Sequence, residues 1–362
     1  MFNNRNFLLY PLSIVYGIIT GIRNFLYNSG FLGSAEFDIP VICIGNITIG
    51  GTGKTPHTEY VARLLSGEYR VAILSRGYKR KTNEFIIGTE ESSVDEIGDE
   101  PLQMLKKMPG VTVAADRSRV NGINNLLKIR PETEVVILDD AFQHRQLKPG
   151  LMILLIDYAR PLHKDHMIPY GSLREYRNNI RRADIIMVTK SPSELSPMQK
   201  RIDMSDIPVL PYQSLYFTSL KYREPLPVFE TAGKYNLEWN SFQDNGVVII
   251  TGIANPAPLI QYLQRVYSEI KHLSYPDHHS FNENDVTAII SAWKELNKPV
   301  KYIITTEKDA MRLRVLNNLP DNIKEVLYFI PIGIEFRKED KEHFDKQIID
   351  YVRKNRRNER FS

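Results

Sequence analysis

Residues 46–56 read Asn-Ile-Thr-Ile-Gly-Gly-Thr-Gly-Lys-Thr-Pro, and they directly follow the apolar residues 41–44, Val-Ile-Cys-Ile. A buried strand, a glycine-rich turn and a Lys-Thr pair that opens a helix are the order of a phosphate-binding P-loop. Glycines let the backbone wrap closely around phosphates, with its N–H groups directed inward. The stretch therefore predicts a P-loop at the end of a core strand, and a nucleoside triphosphate as its ligand.

The motif assigns a role to each residue of the loop. In its pattern Lys54 reaches the β- and γ-phosphates and Thr55 holds Mg²⁺ through its hydroxyl. The first glycine of the pattern would fall at position 48, where Thr48 stands, but Gly50 and Gly51 can supply the same freedom two residues later. The alternative is a glycine turn that binds nothing, which would leave the exposed Lys-Thr pair without a purpose. The predicted nucleotide-binding residues are Thr48, Ile49, Gly50, Gly51, Thr52, Gly53, Lys54 and Thr55.

Composition narrows the class of protein. The 362 residues are 42% hydrophobic and 25% charged, as expected for a soluble globular body. A net charge of +4 does not suggest a dedicated nucleic-acid binder, although it suits an anionic membrane surface. The single cysteine, Cys43, excludes a disulfide framework or a cysteine-based metal site within the chain, so we expect a reducing compartment and a buried thiol. No protein partner is evident.

Short apolar runs alternate with helical periodicity along the rest of the chain. The predicted strands after the P-loop are residues 71–74, 111–114, 135–138, 152–156, 185–188, 247–250, 302–305 and 326–329. This order predicts an α/β, P-loop NTPase-like fold with a mostly parallel sheet flanked by helices and a smaller second α/β subdomain. We divide the chain into an N-terminal helix (1–28), a P-loop domain (29–207), a connecting segment (208–245) and a C-terminal α/β subdomain (246–362).

The N-terminal residues 7–27 differ from the average composition. Apolar residues recur at helical spacing, while Ser13, Gly17, Thr20 and Asn24 form a narrower, more polar stripe. The uncharged stretch is at the short limit for a membrane span of about 20 residues, and no clear cleavage site follows it. Two alternatives remain equal on this segment alone: an interfacial helix in the membrane plane, or a helix packed on the protein's own body.

Polar residues gather where the predicted strands end, which is the ligand-binding edge of a parallel sheet. Asp139 and Asp140 follow an apolar strand, in the form of a Walker B element that binds Mg²⁺. Arg174 can neutralise phosphate, and Glu175 can add to the Mg²⁺ site, the alternative being a surface ion pair. Asp99 can act as a general base, but its spacing before the predicted helix at 102–107 favours a helix cap.

Eight segments, in this order and spacing, resemble the tetraacyldisaccharide 4'-kinase family, and the resemblance covers most of the chain. They are GNITIGGTGKTP (45–56), SRGY (75–78), GDEP (98–101), DDAFQHR (139–145), GSLRE (171–175), TGIANP (251–256), PDHHSF (276–281) and TTEKDA (305–310). The family also tolerates a hydroxyl residue at the position of Thr48. By this resemblance Asp99 is the catalytic carboxylate, which overturns the capping preference. His278, rather than His279, is implied as the histidine that pairs with it.

The resemblance also implies a reaction and its surroundings. ATP with Mg²⁺ phosphorylates the 4'-hydroxyl of a tetraacylated glucosamine disaccharide 1-phosphate, a lipid A precursor. Acidic residues surround Mg²⁺ together with Thr55, and basic ones lie near substrate or phosphate. The implied metal residues are Asp139, Asp140 and Glu175, and the implied substrate residues are Arg76, His144 and Arg174. The family is peripheral (monotopic) on the cytoplasmic leaflet of the inner membrane, which favours a membrane-associated N-terminal helix.

Two alternative functions are considered. A P-loop ATPase or nucleotide switch that acts on a membrane partner would hydrolyse nucleotide without any lipid. A membrane-bound scaffold with a degenerate loop would not bind nucleotide, although the intact Lys54, Thr55 and Asp139 argue against it.

Overall fold

The computed structural model describes residues 7–78, 80–192, 196, 198–199, 207–229, 245–277, 279–316 and 318–355. The chain divides into two compact units. The first consists of Met1–Leu220 and Ile334–Ser362, and the second of Lys221–Gly333.

The described strands of the first unit form a nine-stranded sheet. In chain order they are β1 (Val41–Asn46), β2 (Val71–Ser75), β3 (Ile86–Ile87), β4 (Thr112–Ala115), β5 (Val135–Asp139), β6 (Leu151–Asp157), β7 (Ile185–Thr189), β8 (Ser214–Tyr222) and, near the C-terminus, β14 (Ile332–Phe336). The order across the sheet is β14-β8-β7-β6-β1-β5-β2-β4-β3. Neighbours from β8 to β4 are parallel and β3 is antiparallel to β4, so the predicted mostly parallel sheet is confirmed.

Helices cover both faces of this sheet. The described helices of the whole chain are α1 (Tyr10–Asn28), α2 (Lys54–Ser66), α3 (Val94–Ile97), α4 (Asp99–Lys107), α5 (Arg119–Ile129), α6 (Ala257–Leu263), α7 (Glu283–Lys294), α8 (Glu307–Leu313), α9 (Asp321–Lys324) and α10 (Lys338–Asn355), with 3-10 turns at Phe7–Leu9, Leu162–Lys164 and Arg177–Arg182.

The central strand β1 is apolar at consecutive positions because both of its faces are buried. Successive side chains of a strand point to opposite faces of the sheet. Ile42 and Ile44 pack with α2 and α10 in one core cluster, whereas Val41 and Cys43 pack in another with α5. All four are buried, because a parallel sheet covered on both faces needs apolar residues on each. The predicted burial of Cys43 is confirmed, and burial raises the pKa of its thiol to about 12.

The second unit contains a five-stranded sheet in the order β11-β10-β12-β13-β9. Its strands are β9 (Leu226–Pro227), β10 (Gly246–Thr251), β11 (Glu269–Ser274), β12 (Lys301–Thr306) and β13 (Leu327–Ile330). All neighbours are parallel except β13 and β9. The predicted second α/β subdomain is present.

The units do not follow the predicted boundaries at 207, 245 and 362. Part of the supposed connecting segment forms β8, a full member of the large sheet. The C-terminal helix α10, assigned by sequence to the C-terminal subdomain, belongs to the first unit. Its apolar side chains Phe344, Ile348 and Val352 are buried in the core cluster of β1 and α2, so α10 is not a solvated helix on all sides.

The polar stripe and the apolar residues of α1 lie on opposite sides of the helix. The narrow stripe of Ser13, Gly17, Thr20 and Asn24 is buried against the first unit. The apolar residues face outward, with exposed fractions of 61% for Ile19 and 57% for Ile22. Among the described residues, Phe7–Asn28 is the one helical segment long and apolar enough to cross a membrane by length and composition. The helix therefore packs on the body, as the second alternative predicts, but through its polar side, and the interfacial alternative stays a prediction.

Candidate active site

The P-loop connects β1 to α2, and two of its glycines have a backbone that other residues rarely adopt. Gly50 has a φ of 105° and Gly53 a φ of 83°. Gly53 is the N-cap of α2, so Lys54 and Thr55 form its first turn. The side chain of Asn46 donates to the Thr52 hydroxyl across the loop at 2.9 Å. Exposed N–H groups at a helix N-terminus behind a fixed glycine loop are suited to bind phosphate.

The structure explains why Thr48 replaces the first glycine of the motif. Thr48 does not have a positive φ, and it forms an isolated antiparallel bridge with Leu173. The flanking contacts run from the N–H of Ile49 to the carbonyl of Ser172 and from the N–H of Arg174 to the carbonyl of Ile47, both at 2.7 Å. The loop is braced here by an ordinary backbone pairing, which needs no glycine.

Lys190 braces the loop from the end of β7. Its ammonium donates to the carbonyl of Gly51 and, at 2.7 Å, to the carboxylate of Asp157. The neighbouring Thr189 hydroxyl donates to the carbonyl of Thr52 at 2.9 Å. Lys190 directly follows β7 in the chain. The structure makes it part of the support of the phosphate loop.

Asp139 and Asp140 lie at the end of β5, next to the P-loop, as predicted. Asp139 is buried and accepts hydrogen bonds from the Thr58 hydroxyl at 3.1 Å and the Ser75 hydroxyl at 3.4 Å. Asp140 lies 3.7 Å from the Lys54 ammonium and 3.4 Å from the Arg174 guanidinium. Asp140 therefore faces the loop that would hold the phosphates, and Asp139 is held beside it by α2 and the end of β2.

The two carboxylates differ in their electrostatic surroundings. Burial raises the pKa of Asp139 to about 7, and the negative charges of Glu100 and Asp140 add to the effect. Burial also acts to raise the pKa of Asp140, but the positive charges of Lys54 and Arg174 outweigh it, and the pKa falls below its ordinary value. Burial thus makes a lone negative charge on Asp139 costly, and a neighbouring cation would offset that cost.

The donor set beside the P-loop fits Mg²⁺. It consists of the Thr55 hydroxyl and the carboxylates of Asp139 and Asp140, all hard oxygen ligands. In the part of the chain that is described, no group of three or more His, Cys, Asp or Glu side chains could hold a metal by itself. Mg²⁺ tolerates such a site because it keeps several waters and takes other ligands from phosphate oxygens.

The contacts of Glu175 do not support its predicted place in the metal site. Its side chain is fully buried and accepts from Arg182 at 2.6 Å, Asn179 at 2.8 Å and Asn24 at 3.2 Å. Arg23 completes the set at 3.5 Å. The Glu175 carboxylate is thus held by one cation and one amide from α1 and by one of each from the 3-10 helix that follows Glu175 in the chain. It forms a buried ion pair rather than the surface ion pair considered as the alternative.

Asp99 is the first residue of α4, and the capping preference drawn from its spacing is wrong. Gly98, with a φ of 93°, is the N-cap, and the helix begins three residues earlier than predicted because the turn precedes Asp99. The Asp99 carboxylate is buried and accepts from the N–H of Glu100 at 2.9 Å. Its role as a base stays a prediction.

His278 lies outside the described residues, so its pairing with Asp99 also stays a prediction. Its neighbour His279 stacks on Tyr275 at 4.7 Å and contacts the Asp285 carboxylate at 2.8 Å. Both partners belong to its own unit, and the contact with Asp285 lies beside the cap of α7. These contacts give His279 a structural role.

The residues implied to bind substrate form a cationic region around Asp140. Arg174 contacts Asp140 directly. Burial lowers the pKa of His144 to about 4, and the positive charges of Arg119, Arg76 and Arg23 lower it further. His144 is thus neutral among three cations, a setting that attracts an anionic group.

Sequence reasoning missed Arg119, which holds the acidic pair in place. Arg119 is almost completely buried at the start of α5, and it donates to the carbonyls of Asp116 at 2.7 Å and Asp139 at 2.8 Å. In the sequence Arg119 is a charged residue at the start of a helix with apolar periodicity. A solvent-exposed first turn of a helix has the same pattern, so the sequence did not show that Arg119 is buried.

Two motifs without an assigned role meet at one end of the second unit's sheet. Asp309 is fully buried, and it accepts from the N–H of Gly252 at 2.8 Å and the Thr306 hydroxyl at 2.7 Å. Arg312 pairs with it at 2.9 Å. The TTEKDA and TGIANP segments are therefore fastened together by one carboxylate.

Comparison with known proteins places this geometry in a family. The model of the tetraacyldisaccharide-1-P 4'-kinase family matches residues 5–353. A tetraacyldisaccharide 4'-kinase from Phocaeicola vulgatus is 46% identical over 98% of this chain and 97% of its own, and one from Bacteroides thetaiotaomicron is 45% identical over 98% and 95%. The crystal structure of LpxK from Aquifex aeolicus in complex with ATP covers 95% of this chain and 98% of its own, with 28% identity and a TM-score of 0.72. The chain belongs to the tetraacyldisaccharide 4'-kinase family.

Proposed function

We propose that this kinase transfers the γ-phosphoryl group of ATP to the 4'-hydroxyl of a tetraacylated glucosamine disaccharide 1-phosphate at the cytoplasmic face of the inner membrane. The observation that carries the proposal is the contact of Asp140 with both Lys54 and Arg174, directly beside a braced P-loop. This arrangement serves phosphoryl transfer, in which catalysis consists mainly of positioning and of charge stabilisation.

The P-loop residues bind the triphosphate. N–H groups of the loop and of the first turn of α2 would surround the phosphates, and the Lys54 ammonium would contact the β- and γ-oxygens. The N–H of Ile49 is not among them, because it donates to the carbonyl of Ser172. Mg²⁺, held by Thr55, Asp139 and Asp140, would neutralise charge on those oxygens when bound. Arg174 lies close enough to Asp140 to neutralise the transferring group as well. Glu175 is left out of this metal set because α1 and Arg182 engage it.

Asp99 is proposed as the general base. Its carboxylate orients the 4'-hydroxyl and accepts its proton, while the bond from the 4'-oxygen to the γ-phosphorus forms and the bond from that phosphorus to the β–γ bridging oxygen breaks, releasing ADP. Burial of Asp99 at the N-terminus of α4, next to Glu100 whose charge acts on Asp139, supports a place at the same site. His278 is proposed to stabilise or relay the proton on Asp99.

The exposed guanidinium groups of Arg23 and Arg76, whose charges act on His144, are proposed to receive the anionic sugar lipid. Arg23 lies on α1, so this region adjoins the helix whose apolar residues face outward. An amphipathic helix of this kind lies in the plane of a membrane with its apolar side in the headgroup boundary. We therefore propose that α1 brings the site to the surface where the lipid acceptor resides.

The test is a panel of lipid A precursors with labelled ATP and purified full-length protein. We expect label in a tetraacylated disaccharide 1-phosphate, and a loss of transfer when Asp99→Asn replaces the base. Nucleotide hydrolysis at the same rate with and without every acceptor would instead indicate the ATPase or switch.

A further inference from the structure

The buried carboxylate of Glu175 joins α1 to the segment that braces the phosphate loop. Two of its partners, Arg23 and Asn24, lie on the last turns of α1, and two others, Asn179 and Arg182, lie in the 3-10 helix that follows Glu175. A carboxylate without contact to water requires such partners, since burying it unpaired is costly. Glu175 therefore fixes the end of α1 on the first unit.

The residue before it, Arg174, faces the kinase site. Its N–H donates to the carbonyl of Ile47 in the phosphate loop, and its guanidinium contacts Asp140. Its carbonyl accepts the hydroxyl of Tyr16, from the middle of α1, at 3.1 Å. One residue is thus held by the membrane-facing helix on one side and by the P-loop and the acidic pair on the other.

A second connection runs in parallel through Gln143. Arg23 donates to the carbonyl of Gln143 at 3.4 Å, and the Gln143 side chain donates to the carbonyl of Asn46 at 2.7 Å. Arg174 also contacts the Gln143 side chain, at 3.5 Å. Helix α1 therefore reaches two consecutive residues at the start of the phosphate loop, Asn46 and Ile47, through one intervening residue each.

Close packing fixes the position of α1 along its whole length. A Cβ atom on Gly17 would lie within 2.9 Å of the Tyr176 ring, so the helix backbone approaches as far as glycine allows. Near the other end of the helix, the Ser13 hydroxyl accepts the N–H of Tyr170 at 2.8 Å. Contacts at Ser13, Tyr16, Gly17 and Asn24 leave no freedom for the helix to slide without breaking several of them.

We propose that α1 is a positioning element of the kinase site in addition to its role at the membrane. Glu175 holds the helix, and the docked helix sets Arg174 against Asp140 and the phosphate loop. Glu175 and Tyr16 are positioning residues, since they act through Arg174. The proposal rests on the proposed function for its catalytic readout, but it also makes a prediction for nucleotide affinity that needs no acceptor.

The experiment compares three variants of the full-length protein, each assayed with acceptor dispersed in detergent so that membrane partition does not limit the rate. The test variant carries Tyr16→Phe and Asn24→Ala, which remove two hydrogen bonds from α1 to Arg174 and Glu175 without adding bulk. The matched control is Ser29→Ala, whose hydroxyl bonds only within its own helix. Glu175→Gln is a third variant, which keeps the shape of the side chain and removes its charge.

We expect the double variant to lower kcat/KM about tenfold, and to weaken binding of a fluorescent ATP analogue by about threefold, while vesicle partition stays that of the wild type. Ser29→Ala should leave all three unchanged. Rates and affinity equal to those of Ser29→Ala would overturn the proposal, as would a loss of activity that only follows loss of vesicle binding.

A double-mutant cycle separates positioning from a general loss of structure. If α1 acts by positioning the Arg174 guanidinium, the Tyr16→Phe, Asn24→Ala pair should have little further effect on kcat/KM once Arg174→Ala is present, because that substitution removes the guanidinium and keeps the backbone contacts. Independent, additive losses in the cycle would refute the route through Arg174. If the wild type phosphorylates no acceptor, the proposed function fails, and the nucleotide affinities alone decide whether the positioning role holds.

Discussion

Replacement of Arg119 by methionine tests whether the acidic pair depends on one buried guanidinium. Arg119 has 1% of its surface exposed and donates to the carbonyls of Asp116 and Asp139. Arg119→Met keeps the length of the side chain, but removes both donors and leaves two buried carbonyls without them. The turn most affected is that of Asp139 and Asp140, where Asp140 already has a φ of 49°.

The size of the effect follows from the two contacts. A hydrogen bond from a charged donor contributes about 1.5–3 kcal/mol, so the pair contributes about 3–6 kcal/mol. Removing the guanidinium also removes its desolvation cost, which is visible in the pKa of Arg119, lowered to about 10 by burial. We therefore expect a net loss of about 3 kcal/mol. For a unit of this size that corresponds to a fall in Tm of about 6–12 °C.

The assay is thermal unfolding followed by calorimetry, with Arg117→Met as the matched control. Arg117 stands two residues earlier and is exposed, so its replacement should change Tm by no more than about 1–2 °C. The MgATP concentration needed for half-maximal rate should rise for Arg119→Met and not for the control. A Tm for Arg119→Met within 2 °C of the control would refute the reasoning about the buried contacts.

Three further outcomes are expected. Asp99→Asn should lower kcat by about 10²–10⁴-fold while the affinity for a fluorescent ATP analogue stays within about twofold, because a general base acts after nucleotide binding. A kcat close to that of the wild type would show that Asp99 is not the base. Gly53→Ala should raise the KM for ATP about tenfold, because its φ of 83° strains any residue with a Cβ. Gly67→Ala, at the other end of α2 with a φ of −72° and no atom near the added carbon, should be close to neutral, and equal effects of the two would contradict the strain argument. The double substitution Ile18→Asn, Ile22→Asn changes the exposed side of α1 and should reduce partition to anionic vesicles at least about tenfold, as measured by sedimentation. Unchanged partition would exclude that side of the helix as the membrane contact.

The phosphate loop and the sheet were predictable because their signals are local. An apolar run, a glycine turn and a Lys-Thr pair decide the path of the chain between β1 and α2 with few tertiary contributions. The strand pattern was confirmed for the same reason, since residues buried on both faces leave continuous apolar runs. The helical spacing of residues 7–27 also predicted a polar and an apolar side for α1, but only the structure shows that the polar side is the buried one.

The failures concern long-range contacts and the direction of side chains. Arg174 and Glu175 are adjacent in sequence, so spacing gave both the same neighbourhood, yet one contacts Asp140 and the other α1. The place of α10 was missed because a helix with one apolar side does not specify which core it completes. Spacing alone favours Asp99 as a cap, and this preference fails because a glycine with a φ of 93° turns the chain one residue earlier.

The central claim is that the phosphate leaves ATP for one hydroxyl of a lipid-borne disaccharide. The most direct measurement is phosphorus NMR of the product formed by the purified protein from ATP, Mg²⁺ and the tetraacylated disaccharide 1-phosphate, with ADP counted in the same sample. We predict one new phosphate monoester at the 4' position for each ADP formed. A product that carries phosphate at another position, or ADP formed with free phosphate and unchanged lipid, would contradict the account.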